Sequence, residues 1–188
     1  MWEGLLRLDA RLARTALGAR EPLLGQLKLA WWRDRMAQPT ADWPRGEPLL
    51  AILVRWETER EVLGQLVDAW EGAVGGSPAE PVIARIAEGR ADAFAALGRI
   101  VGMDASVEDA VRLVGRAWAL SDLSVGLPEP EGRAAASRLL AAQDARPPAL
   151  PRDLRPLAIL ADIARGESEG EGTLRRFARI IRLGIIGR

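Results

Sequence analysis

Apolar residues recur every three or four positions along nearly the whole chain, the spacing of one face of an α-helix. Leu5, Leu8, Leu12 and Ala16 set out a first helix ending near Gly18. Glu21-Pro22 opens a second, because proline fits the first helical turn, with Leu24, Leu27 and Trp31 as its apolar stripe and Pro39 near its stop. After a loop over 43–48, Leu49, Leu53 and Trp56 mark a third helix. Val62, Leu63, Leu66, Val67 and Trp70 mark a fourth, either separate from the third or continuous with it, and Gly75-Gly76-Ser77-Pro78 breaks the run. Ile83, Ile86, Phe94, Leu97 and Val101 predict a fifth helix ending near Gly102. Ser106-Val107-Glu108-Asp109 has the spacing of a capping box, with the sixth helix following on Val107, Val111, Val114 and Trp118. A loop is expected over 127–132, a short helix over 134–142 and a proline-rich linker over 146–151. Leu157, Leu160 and Ile163 predict a further helix. An acidic, glycine-rich connection over 166–172 leads to a last helix on Leu174, Phe177 and Ile181. No alternating strand pattern stands out. The expectation is an all-α single domain over 1–188, of eight or nine helices.

Composition narrows the chemistry. The 188 residues carry 26 basic and 26 acidic side chains, so the formal net charge is zero, against bulk binding of nucleic acid. Cysteine, histidine and tyrosine are absent, which removes zinc, haem and iron–sulfur ligation, thiol nucleophiles and imidazole mechanisms. The single lysine, Lys28, lies between Leu27 and Leu29 and fits no Walker loop. No run is long and apolar enough to span a membrane. With acids and arginines interrupting the N-terminus at once, the expected location is the cytoplasm. A peripheral contact with the inner face of the membrane is the alternative, through the basic amphipathic segment 172–188.

Carboxylates are then the available metal ligands. Glu57 and Glu61, Glu88 and Asp92, and Asp104 and Glu108 each sit one helical turn apart, but each pair reads first as a solvated helix face, and none is a metal site on the sequence alone. The same holds for the arginine stripe Arg7, Arg11 and Arg14: a grip on phosphate or the wet side of an amphipathic helix. Trp31, Trp56, Trp70 and Trp118 fall on the apolar stripes and read as core, with the wall of an apolar lipid tunnel as the functional alternative.

The segment Glu21-Pro22-Leu23-Leu24-Gly25-Gln26-Leu27-Lys28-Leu29-Ala30-Trp31-Trp32-Arg33 resembles the second helix of the squalene/phytoene synthase family, which reads E-P-x-L-G-Q-x-R-L-x-W-W-R in many members. The flavour is that of the divergent branch holding a mitochondrial complex I assembly factor and its bacterial relatives. Leu66-Val67-Asp68-Ala69-Trp70-Glu71 resembles that branch's L-I-D-A-R-E, and Arg85-Ile86-Ala87-Glu88-Gly89 its Y-x-E-G/N-T region. Gly115-Arg116-Ala117-Trp118-Ala119-Leu120, with Leu127-Pro128 and Gly132-Arg133, resembles its G-x-A-x-x-L…L-P…G-R segment. The likeness covers about residues 5–165. It implies a helical prenyl-synthase (isoprenoid synthase) fold, truncated relative to active members, which join two prenyl diphosphates on Mg²⁺ held by two Asp-rich motifs.

This sequence departs from the pattern where the metal would sit. Ala13, Arg14 and Leu17 stand at the first motif, Ala73 at a further aspartate, and Leu123-Ser124-Val125-Gly126 near the second motif. The resemblance therefore implies a degenerate, non-catalytic protein, a pseudoenzyme without cofactor. It would bind an isoprenoid or other lipid, or act as an assembly or scaffold partner for another protein or a second copy. The candidate ligand-binding residues are Arg11, Arg14, Gln26, Trp32, Arg33 and Arg133, since guanidinium groups can hold phosphate directly. The alternative is an active prenyltransferase using Glu88, Asp92 or Asp122 as unconventional Mg²⁺ ligands. An exposed apolar patch would favour the protein-partner reading.

Overall fold

In the computed structural model, which describes residues 1–143 and 149–169 (164–169 in backbone only), every regular element is helical. The glycine-rich break ending at Pro78 lies between two compact units, Met1–Pro78 and the chain from Ala79 onward.

The first unit holds α1 (Trp2–Leu17), α2 (Pro22–Ala37), α3 (Pro48–Leu53) and α4 (Arg60–Glu71). α1 buries the stripe its spacing predicts, Leu5, Leu8, Leu12 and Ala16, together with Gly4 and Asp9. The third and fourth helices are neither one rod nor cleanly separate: a 3₁₀ stretch, Val54–Glu59, joins them and carries the buried Trp56. Glu47 starts α3 by accepting the backbone N–H of Leu49 at 3.1 Å, satisfying one of the free donors of a first turn.

α2 overturns an expectation. Its buried residues are Gly25, Leu29, Trp32 and Met36, whereas Leu24, Leu27 and Trp31, read as the core stripe, are 49%, 57% and 37% exposed. Both sets have helical spacing, and packing chose the other one. Gly25 helps explain why. A Cβ there would lie 2.9 Å from both Ala19 Cβ and Val74 Cγ1, so only glycine lets this face approach its neighbours.

The second unit holds α5 (Glu80–Ile100), α6 (Glu108–Gly126), α7 (Pro130–Ala141) and α8 (Arg155–Glu169). α6 lies against α5, α7 and α8. Gly115 allows a close approach of α6 to α5, since a Cβ would meet Phe94 Cδ2 at 3.1 Å and Ala91 Cα at 3.2 Å. Phe94 and Trp118 stack edge to face beside it, with ring centroids 5.2 Å apart.

Three boundaries differ from those expected. Asp104, not Ser106, supplies the cap before α6: it accepts the Ser106 N–H at 2.8 Å and starts a 3₁₀ turn, Ala105–Val107, so α6 begins at Glu108. α7 begins at Pro130, inside the expected loop, because proline fits a first helical turn. α8 runs on to Glu169, past Gly166, where a connection was expected. The predicted last helix and the basic segment 172–188 lie outside the described residues.

Candidate functional site

The segment that carries the family resemblance is mostly accounted for by packing. Pro22 sits in the first turn of α2, Gly25 permits the close approach, and Trp32 is buried. Arg33 reaches across to α4, where its guanidinium donates to both Asp68 and Glu71. Those two acids belong to the Leu66–Glu71 segment, so the two most family-like stretches of the first unit are joined by one arginine. Hydrogen bonding to Asp68, offset in part by burial and reinforced by Glu71, raises the Arg33 pKa further and keeps the clamp charged. The C-terminal end of α2 is held as firmly. Arg60 donates to the carbonyls of Met36 and Gln38 at 3.1 and 2.9 Å, and Trp43 Nε1 donates to those of Arg35 and Gln38 at 2.6 and 3.1 Å. A cation at the last carbonyls also suits the helix dipole.

The remaining candidate residues have separate surroundings. Arg11 lies 4.0 Å from Glu47, and Gln26 is exposed. Arg14 lines a groove of about 350 Å³ with Arg20, Glu21, Leu24 and Lys28. Arg33 lines a larger cleft of about 510 Å³, whose walls carry both signs of charge: Glu57, Arg60, Glu61 and Asp68. In the second unit Arg133 donates to the carbonyls of Leu127 and Pro128 at 2.8 and 2.7 Å, tying down the turn before α7.

The three carboxylates considered for Mg²⁺ do not fit a diphosphate clamp, because each is turned to an arginine. Glu88 pairs with Arg116 at 2.9 Å, Asp92 with Arg112, and Asp122 with Arg90 at 2.8 Å. A hard cation would have to displace a guanidinium at each. Among the described residues no cluster of three or more acids is placed to hold a metal. Arg90 is the least exposed of the three arginines, at 5%, and its guanidinium also lies 5.0 Å from the Trp118 ring centre. Asp122 is 48% exposed, so the pair is only half desolvated. Replacing Asp122 by alanine is therefore expected to destabilise by about 1–3 kcal/mol, below the full cost of breaking a buried pair. Urea unfolding followed by circular dichroism measures it.

Two exposed carboxylates titrate low. Hydrogen bonds from Thr40, aided by Arg60, lower the Glu57 pKa, and hydrogen bonds from Ser106 lower that of Asp104. Folded values below the unfolded ones add stability at neutral pH, and that stability is lost as pH falls through the folded pKa. Glu57→Gln and Asp104→Asn should each flatten the acid limb of the stability–pH profile and leave the alkaline limb alone.

What sequence reasoning missed is the outer face of α2. Leu23 (66% exposed), Leu24, Leu27 and Trp31 form one apolar strip on a helix whose opposite face is already buried. Arg35 lies 5.6 Å from the Trp31 ring centre at the strip's far end. The available signal was that α2 carries two apolar stripes of helical spacing, Leu24, Leu27 and Trp31 on one face and Leu29, Trp32 and Met36 on the other. No described helix is long and apolar enough to cross a membrane. No protein-family model, curated protein or solved structure matches the chain.

Proposed function

We propose that this chain is a non-catalytic assembly or scaffold module, degenerate and squalene/phytoene-synthase-like, that docks a protein partner through the outer face of α2. The observation that carries this reading is the strip Leu23, Leu24, Leu27 and Trp31 on a helix pinned by Arg33, Arg60 and Trp43. Large apolar side chains gathered on one face of a fixed helix cost solubility, and burying them against a partner recovers roughly 25 cal/mol per Å². A helix already fixed at its end and inner face loses little further freedom when it binds, which favours docking. The arginine-paired carboxylates support the non-catalytic half: Glu88, Asp92 and Asp122 have ion-pair partners within the fold.

The test compares wild type with a Leu24→Ser/Leu27→Ser variant, each tagged and expressed at native level. Both side chains are about half exposed, so melting should change little. Native gel filtration of the lysate should place wild type well above its own 20.4 kDa and the variant lower. Wild type eluting as the free chain, or a variant eluting unchanged, would overturn the docking role.

A further inference from the structure

We infer that the groove at the corner between α1 and α2 is a binding site for a phosphate group, held directly by Arg14, Arg20 and Lys28. The groove, about 350 Å³, lies within the size range of small-molecule pockets. Its walls come from three consecutive pieces of chain. Arg14 lies in the last turn of α1, Arg20 in the connection, and Lys28 in the second turn of α2. Gly25 fixes their arrangement, because its missing side chain lets α2 close onto Ala19 and the Thr15 carbonyl.

Three cations and one acid, Glu21, line this groove, an excess of two positive charges in a chain whose formal net charge is zero. Arg14, Arg20 and Lys28 are exposed and form no ion pair among the described residues. Arg33, Arg60, Arg90, Arg112 and Arg116, in contrast, each meet a carboxylate of the fold. The larger cleft beside α4 shows the difference. Its two cations, Arg33 and Arg60, are already set on Asp68 and Glu57, so it has no idle charge to offer an anion.

Like charges gathered without counter-charge repel one another, and an incoming anion relieves that repulsion. A phosphate group carries close to two negative charges at neutral pH and matches the excess. A carboxylate would leave half of it uncompensated. Guanidinium groups also suit phosphate oxygens through paired N–H donors, and the ammonium adds a compact charge. The phosphate can belong to a soluble ligand or to a lipid headgroup. Because the groove is open to water, binding should weaken as salt is raised.

Lys28 is the only lysine, so its reactivity reports on the groove. The purified full chain is acetylated with N-hydroxysuccinimidyl acetate and the Lys28 peptide followed by mass spectrometry, with the Met1 amine as internal standard. Inorganic phosphate or pyrophosphate should slow Lys28 roughly tenfold at ten times its dissociation constant, compared with sodium chloride of equal ionic strength. Arg14→Gln/Arg20→Gln should abolish the protection without changing the melting temperature, as both side chains are exposed. Arg45→Gln/Arg55→Gln removes the same charge from exposed positions outside the groove and should keep the protection. Flotation with phosphatidylcholine vesicles, with and without phosphatidic acid, separates the two sources. Protection by the soluble ions without flotation assigns a soluble ligand. Flotation that needs both phosphatidic acid and the two arginines assigns a headgroup. Protection no greater than with sodium chloride, together with no such flotation, overturns the inference. So does protection or flotation that survives Arg14→Gln/Arg20→Gln.

Discussion

Replacing Trp70 by alanine is expected to destabilise the protein by about 3–5 kcal/mol, the range for a fully buried large aromatic. Trp70 is 1% exposed on α4, and its Nε1 donates to Asp9 on α1 at 2.8 Å, so the indole carries both packing and a buried hydrogen bond. The phenylalanine variant separates the two. Trp70→Phe keeps much of the ring but takes a donor from a carboxylate that is only 6% exposed, at a cost of about 1–3 kcal/mol. Trp56 supplies the contrast. It is equally buried, but its Nε1 has no hydrogen-bond partner among the described residues. Trp56→Phe should therefore cost less than Trp70→Phe, as removing an unpaired buried donor offsets the lost ring area. Urea midpoints from circular dichroism decide the order.

The second large effect lies at Gly115. Its Cβ position is within 3.2 Å of the Ala91 backbone, and a main-chain atom cannot turn aside as a side-chain tip can. Gly115→Leu is expected to cost about 3 kcal/mol, the upper part of the overpacking range, by forcing α5 and α6 apart. Gly115→Ala should cost less, since its clash is a few tenths of an ångström. Thermal melts of the two variants should rank in that order. Loss of the Phe94–Trp118 edge-to-face contact should change the near-ultraviolet circular dichroism of the leucine variant first.

The fold class was legible because helical periodicity leaves its mark on every amphipathic segment. α1 shows it best: four residues of the predicted stripe are the four large or apolar ones that are buried. α2 defeated the same reasoning because two apolar stripes share one helix. Periodicity says that a face is apolar without saying which neighbour covers it. The boundary errors have local causes. Pro130 reads as a loop residue until its place in a first turn is considered, and Asp104 took the capping role that the Ser106 spacing suggested.

The candidate site was legible in a different way. The Trp-Trp-Arg segment was singled out for a ligand, yet Trp32 is core and Arg33 serves the α2–α4 contact. A cationic residue beside aromatics has the same sequence whether it holds a phosphate or two carboxylates on the next helix. Pairing across 35 and 38 residues leaves no local trace. Likewise Glu88, Asp92 and Asp122 could be named from α5 and α6 singly, but not their partners on the facing helix.

The most direct test of the claim that this protein docks and does no chemistry is thermal unfolding with farnesyl and geranylgeranyl diphosphate, each with and without Mg²⁺. A ligand held through metal at 100 times its dissociation constant would add about 2.7 kcal/mol of stability. With Glu88, Asp92 and Asp122 each committed to an arginine, melting should be indifferent to Mg²⁺ for both diphosphates. A melting temperature that rises only when diphosphate and Mg²⁺ are present together would contradict the account and restore the prenyltransferase reading.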